Sequence, residues 1–233
     1  VSKEFFVENS SLSVQDVLLS RHSVRRFLPK PVSKEQIYTL LELASHAPSS
    51  SNMQLWRVYV LQGQAKERLS DSVVKAFRDP DQSKYTREVI YSGEIKPLYI
   101  KRHEEMSHAF YGSLGLSESD LPSLLAQIEQ NYRFFGAPVG LILTTDRTMQ
   151  QPAWLDCGLF LQSLMLTAQA MGLATCAQGS FCSYHQVVRE ELNLPEDEMV
   201  VCGVSLGYED KNAVENQFRS TRVPLSDFVT FIG

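Results

Sequence analysis

Only four cysteines stand among 233 residues, and no two of them form a C-x-x-C pair. Cys157, Cys176, Cys182 and Cys202 all lie in or beside apolar segments such as VVCGVSLG, which predicts buried, reduced thiols in a cytoplasmic protein rather than a disulfide framework. Long apolar runs are missing too. The most apolar stretch, Trp154 to Ala174, is broken by Asp156, Gln162 and Gln169, so it reads as a core helix and not as a membrane span. The first twenty residues carry Lys3, Glu4, Glu8 and Asp16 and lack the apolar centre of a secretory signal. Positive charge is in deficit, 22 Lys and Arg against 27 Asp and Glu, for a net charge of −5. Neither nucleic acid nor an anionic membrane is attracted to such a surface at long range, so an anionic ligand must meet a local basic cluster. Glycine-rich Walker and dinucleotide loops are absent, as are repeats and low-complexity segments.

What remains, at 43% hydrophobic and 21% charged residues, is an ordinary globular composition. A chain of this length buries roughly 70 to 75% of its unfolded surface and needs no structural metal. A single domain spanning 1–233 is expected, with a lid or insertion at about 79–120. Helices are expected from Ser13 to Arg21 and after the S-x-x-Q capping box of Ser33 and Gln36, where Ile37, Leu40, Leu41 and Ala44 share a face until Pro48. Trp56 to Leu61 is a strand by its β-branched and aromatic content, and a helix carrying Leu69, Val73, Ala76 and Phe77 follows it. Further helices are expected after Pro97, from Leu121 to Phe134, over 153–171 with Gly172 closing it, and behind a Ser183/Gln186 cap. VGLILTT and Met199 to Leu206 are buried strands. The apolar tail after Arg222, VPLSDFVTFIG, needs a surface to pack on, either the same core or a second subunit.

Two motifs fail on context. Gly203-Val204-Ser205-Leu206-Gly207 matches the G-x-S-x-G nucleophile elbow, but no helix follows the serine and the last histidine, His185, precedes it. His103 and His108 stand at i, i+5, about 140° apart around a helix, and cannot grip one zinc ion. Three polar segments survive. Arg21-His22-Ser23-Val24-Arg25-Arg26 packs guanidinium forks and a hydroxyl into six residues, a pattern suited to phosphate as well as to a charged helix end. Pro48-Ser49-Ser50-Ser51-Asn52-Met53-Gln54 is either a connector or a set of donors and acceptors able to read a heterocycle edge. Arg219-Ser220-Thr221-Arg222 is the third.

In this order, together with Phe135-Gly136-Ala137-Pro138-Val139, Asp156-Cys157-Gly158, Ala170-Met171-Gly172-Leu173, Gly207-Tyr208 and Arg222-Val223-Pro224-Leu225, the chain resembles the FMN-dependent nitroreductase family, in particular its nitroaromatic and nitrobenzoate reductase branch. The likeness spans nearly everything outside residues 79 to 120. It implies an α+β fold in which a mixed central sheet is flanked by helices, and a domain-swapped homodimer with two FMN molecules at the subunit interface and a C-terminal arm embracing the partner. Arg21, Ser23 and Arg25 are then expected at the flavin's phosphate, ribityl and pyrimidine end, with Arg222 reinforcing the phosphate and His22 contributing through its backbone. Pro48, Ser49, Ser50, Asn52 and Gln54 are expected from the other subunit or across the pyrimidine edge. The Gln178-Gly179-Ser180 loop is expected against the isoalloxazine, with a backbone N–H near N5. No side chain acts as a catalytic acid or base. NADPH or NADH delivers hydride at N5, and a small aromatic electron acceptor, nitro or quinone-like, follows at the same face in ping-pong order. Tyr85, Tyr91, Ile95, Tyr99, Phe110 and Tyr111 are candidates for the cap of that pocket. The alternatives are a flavin-dependent reductive dehalogenase of the iodotyrosine deiodinase kind, which needs a Glu-Tyr-Lys set in the lid, and a non-catalytic flavin-binding module.

Overall fold

The computed structural model describes residues 12–85, 94–117 and 119–233. The absence of a leader, read from the first twenty residues, therefore rests largely on residues outside the described ones. α1 (Val14–Ser20) opens on a capping box of Ser13 and Asp16, and α2 (Lys34–Ala44) on the predicted box of Ser33 and Gln36, which turns Ile37, Leu40 and Ala44 inward. β1 (Trp56–Gln62) runs straight into α3 (Gly63–Phe77), and the lid region contains α4 (Pro97–Ser113) with proline in its first turn. There follow α5 (Leu121–Glu129), β2 (Val139–Asp146), α6 (Gln150–Ala170), β3 (Ala174–Gln178), α7 (His185–Leu192) and β4 (Glu198–Gly207).

Four strands pair in the order β1-β2-β4-β3, each neighbour antiparallel. The α+β class stands, but the expected mixed sheet shrinks to one parallel bridge, Ser23 to Thr175, because the chain beside β3 is extended for only a few residues after α1. The pleat sends Val139, Leu141 and Leu143 of β2 to one side, where α2 and α6 cover them, and Ile142 to the other, where Phe181, Val188 and residues of α3 lie. Covering both faces is why β2 and β4 read as continuous apolar runs. None of the four cysteines forms a disulfide, and all are buried in these layers. No described helix is long and apolar enough to cross a membrane.

Two predicted boundaries shift. α5 ends at Glu129 rather than near Phe134, since Phe134 and Phe135 adopt φ of 51° and 53° to drive both rings into the core, Phe134 onto Gly140. Ser183 and Gln186 do not cap α7. A 3-10 helix, Gly179–Tyr184, already runs into it, so the backbone leaves no extended N-cap residue for the serine to serve. The G-x-S-x-G segment is the end of β4, with Ser205 fully buried, which excludes a nucleophile elbow. Its first glycine is structural: a Cβ on Gly203 would lie 2.4 Å from the Phe181 ring. At the other end of β4, Glu198 is 2% exposed and accepts from Arg57 Nη1 (2.6 Å), Tyr59 Oη (3.0 and 2.9 Å) and Thr144 Oγ1 (2.7 Å). Burial opposes its ionisation, but the hydrogen bonds from Thr144, Arg57 and Tyr59 outweigh that and hold the carboxyl below its ordinary value of 4.5.

Gly203→Ala is expected to destabilise the fold by about 3 kcal/mol through overpacking against Phe181, read as a lower urea midpoint at constant m. A folded carboxyl with a depressed pKa adds stability above its unfolded pKa and loses it as pH falls through the folded value. Thr144→Val, which deletes one of the donors to Glu198, is therefore expected to cost about 2 kcal/mol at pH 7. Its deficit relative to the parent should shrink in urea titrations taken progressively below pH 4.5.

Candidate functional site

The first basic segment is held from behind by backbone. After α1 ends at Arg21, Val24 N donates to Thr175 O (3.1 Å) and Leu28 N to Tyr208 O (2.8 Å). Asn216, 1% exposed, accepts from Arg25 N at 2.7 Å and donates to Arg26 O at 2.8 Å and Asp210 O at 2.9 Å, clamping the strip from the far end of the chain. The His22 ring contacts Glu209 Oε1 (3.0 Å) and Ser20 O (3.1 Å), so its side chain is occupied on the protein side and only its backbone is left for a ligand.

Arg21, Ser23 and Arg25 thereby line one wall of a cleft of about 590 Å³, and Phe218, Arg219, Ser220 and Arg222 line another, with Leu18, Leu19 and Met106 at its rim. Among the described residues no carboxylate forms an ion pair with Arg21, Arg25 or Arg222. Burial and then the Arg222 charge lower the pKa of Arg21, so two guanidiniums repel across the cleft. Behind them Cys176 is pushed up by burial, against the opposing pull of Arg25, Ser23 and Arg21. Arg25 lies 4.4 Å over the Phe110 ring, and Phe110 meets Phe218 edge-on at 5.5 Å, which joins the lid helix α4 to both walls.

The serine-rich segment is elsewhere. Ser51, Asn52 and Gln54 take φ of 50°, 58° and 53°, a strained run that leaves Asn52 and Gln54 exposed. Two ties hold it: Gln54 N donates to Ser49 Oγ (3.0 Å), and Ser50 donates through N (2.9 Å) and Oγ (3.1 Å) to Oδ1 of the fully buried Asp156. Asp156 sits near the start of α6, whereas Ser20, beside Arg21, bonds Gln169 near its end (3.1 Å). Thirteen residues of helix at 1.5 Å each separate the two by about 20 Å, so one chain does not bring Pro48 to Gln54 to the arginines.

The third group does adjoin the cleft, since Gln178 is three residues, about 10 Å, along β3 from the Ser23 bridge. Its side chain points the wrong way for a ligand: Gln178, 2% exposed, accepts from Ser205 Oγ (2.8 Å) and donates to Asn131 O. Only its backbone can serve. Gly179 is exposed, and the Ser180 hydroxyl is buried with no partner.

Of the predicted cap, Tyr85 packs instead on Tyr184 (5.4 Å) and bonds Asp79, while Tyr91 lies outside the described residues. Ile95 and Tyr99 are exposed, Phe110 is buried, and Tyr111, its pKa raised by burial against the pull of Arg25, lines a cavity of about 170 Å³ with Arg25, His103, Ser107, Gln127 and Asn131. Among the described residues no His, Cys, Asp or Glu group could hold a metal. Sequence reasoning missed Asn216 and Asp156 as supports of the site. Asn216 belongs to no local pattern, and Asp156 entered only as part of the Asp156-Cys157-Gly158 motif, which attaches no role to its carboxylate.

A basic cleft built on the strip beside β3 and lined by the segment after β4 has the charge and the donors to receive an anionic group. A model described as "Nitroreductase family" matches residues 18–208. The nitrobenzene nitroreductase of Ectopseudomonas oleovorans is 38% identical over 94% of this chain and 96% of its own length. The 4-nitrobenzoate reductase of Pseudomonas putida is 39% identical over 93% and 94%. The crystal structure of the FMN and NADPH-dependent nitroreductase NfnB from Sphigopyxis sp. strain HMH superimposes with a TM-score of 0.91 at 34% identity, covering 95% of this chain and all of that one. The chain belongs to the nitroreductase family.

Asp156→Ala is expected to release the 49–54 loop, seen as rapid proteolytic nicking there and a loss of about 3 kcal/mol, because both Ser50 donors lose their acceptor. Asp156→Asn keeps that acceptor and should stay within about 1 kcal/mol of the parent.

Proposed function

We propose that the protein is an NAD(P)H-dependent FMN oxidoreductase that reduces nitroaromatic or quinone-like acceptors. The observation that carries the reading is the cleft lined by Arg21 and Arg222, which repel each other and, among the described residues, pair with no carboxylate. A dianionic phosphate turns that repulsion into paired charge-assisted hydrogen bonds, and Ser23 adds a hydroxyl, so the residues fit FMN. Names of relatives that span nearly the whole chain favour nitro reduction over reductive dehalogenation.

Arg21, Ser23 and Arg222 would hold the phosphate and the adjoining ribityl, with His22 offering backbone. Arg25, oriented by Phe110, supplies a permanent charge able to stabilise electron density gathered on a neighbouring ring. Gly179 and Ser180 would present backbone N–H groups to the ring edge. Bound FMN supplies the redox chemistry, taking hydride from NADPH or NADH and passing two electrons to the acceptor. Met106 and Phe110 of α4 lie beside Arg25 and would help to shield it from water once a ligand fills the cleft.

A homodimer completes the reading. Pro48, Ser49, Ser50, Asn52 and Gln54 stand about 20 Å along α6 from the arginines of their own chain, which supports their use at the site of a second copy. Leu155, Leu159, Phe228, Phe231 and Ile232 are exposed, the last two at 94% and 95%, as expected of surfaces that a partner covers. Four buried cysteines, none in a disulfide, support a cytoplasmic setting.

The dialysed protein should be yellow, release FMN on denaturation and show parallel-line kinetics with NADPH and a nitroarene. No flavin absorbance together with no uptake of added FMN defeats the proposal. Arg222→Ala should weaken FMN at least about tenfold and riboflavin, which lacks the phosphate, hardly at all, as measured by flavin fluorescence quenching.

A further inference from the structure

Gln178 and Ser205 are buried polar side chains that the proposed function leaves without a task. Ser205 Oγ donates to Gln178 Oε1 at 2.8 Å, and Gln178 Nε2 donates to the carbonyl of Asn131. That carbonyl also accepts from Phe134 N at 3.1 Å, and Asn131 Nδ2 donates to Ile128 O at 2.9 Å. A carbonyl can only accept, so the Gln178 amide has one orientation: Nε2 toward Asn131, Oε1 toward the hydroxyl. Three separate parts of the chain meet here: the end of β3, the interior of β4 and the turn that follows α5.

The next residues along β3 are Gly179 and Ser180, and after them comes Phe181, fully buried and seated on Gly203 so closely that no Cβ fits between. The two-residue edge is therefore clamped on both sides, by the Gln178 amide before it and the Phe181 ring after it. We propose that Ser205, Gln178 and Asn131 form a positioning relay that fixes the Gly179–Ser180 backbone in the orientation the site uses and ties it to the turn after α5, where Asn131 lines the small cavity beside Arg25. The relay rests on the flavin reading above for its consequence, but not for its existence. Preorganised donors stabilise developing charge only while their direction is held, and loosening the amide forfeits rate without removing any contact to the phosphate. Ser205, which mimics a nucleophile in the sequence, acts here by donating a hydrogen bond to a neighbour.

Amide hydrogen exchange of the full chain, with and without FMN, tests the relay in Ser205→Ala and Gln178→Met. Exchange in Gly179–Tyr184 and in the turn 130–136 should accelerate at least about tenfold, with β1 and β2 unchanged. At saturating FMN, kcat for NADPH oxidation by a nitroarene should fall about tenfold while the Kd for FMN moves less than about threefold, and Ser205→Thr should restore most of both. Parental exchange in either segment overturns the relay, and so does faster exchange with parental kcat. Should Gln178→Met fail to fold, Ser205→Ala, which deletes one oxygen, decides alone. A parent protein that binds no FMN defeats the flavin reading, and the exchange measurement still settles whether the relay holds the edge.

Discussion

Arg21 and Arg222 line one cleft and repel each other, with no carboxylate among the described residues paired to either, and much of the surrounding structure bears on keeping them there. Burial keeps Arg21 in place at the end of α1, while Arg222 is exposed and its guanidinium is directed by local bonds to Ser220 Oγ at 2.9 Å and Thr221 O at 2.9 Å. The backbone carrying the first arginine is fixed by β3 through Thr175 and by the buried Asn216, while Glu209 is engaged by His22 and Glu215 lies 3.9 Å from Arg26 at the far end of the strip. Charge is thus held apart from its counter-ion by ordinary hydrogen bonds, at a cost that an anionic ligand repays on binding.

The same logic of a costly conformation held by a distant partner governs the serine-rich loop. Three non-glycine residues with positive φ store on the order of 1 kcal/mol each, and a connector with no task would relax. Asp156 prevents that by accepting both Ser50 donors, and its second oxygen, Oδ2, is left buried without a partner. The fold tolerates strain and an orphaned carboxylate oxygen at one spot, and that spot carries the exposed amides of Asn52 and Gln54.

How much of this the sequence disclosed follows from the range of each interaction. The Ser33/Gln36 box, the strand at Trp56 and the arginine cluster are local patterns, set by residues within a few positions of one another, and they were legible. The turn at Phe134 was not, because it is forced by where two phenylalanine rings must go in the core, and helical periodicity continues through those residues. Ser183 looked like a cap for the converse reason: the local signal is real, but the chain arrives already wound. Asn216 stands 191 positions from the Arg25 amide it receives. Gln178 was placed at the cofactor by its position in the loop, and the structure turns its side chain inward, because Ser205 and the Asn131 carbonyl satisfy both ends of the amide. Backbone role and side-chain role are separable in a strand residue, and a motif specifies only the first.

The overall acidity and the basic cleft are also one problem. A net charge of −5 spread over the surface gives no general attraction for an anion, so affinity must arise from short-range contacts in a medium of low dielectric. The rim of the cleft supplies part of that medium: Leu18 is 49% exposed and Leu19 77%, on the turn of α1 that leads into Arg21. A second chain seated over those leucines would remove water from both the apolar rim and the guanidiniums. The repulsion between the arginines then grows in the absence of an anion, and the attraction grows in its presence. By linkage, covering that rim would tighten anion binding by the same free energy by which the anion tightened the covering. The apolar residues exposed on α1 and the charges beside them would then be two halves of one binding equilibrium.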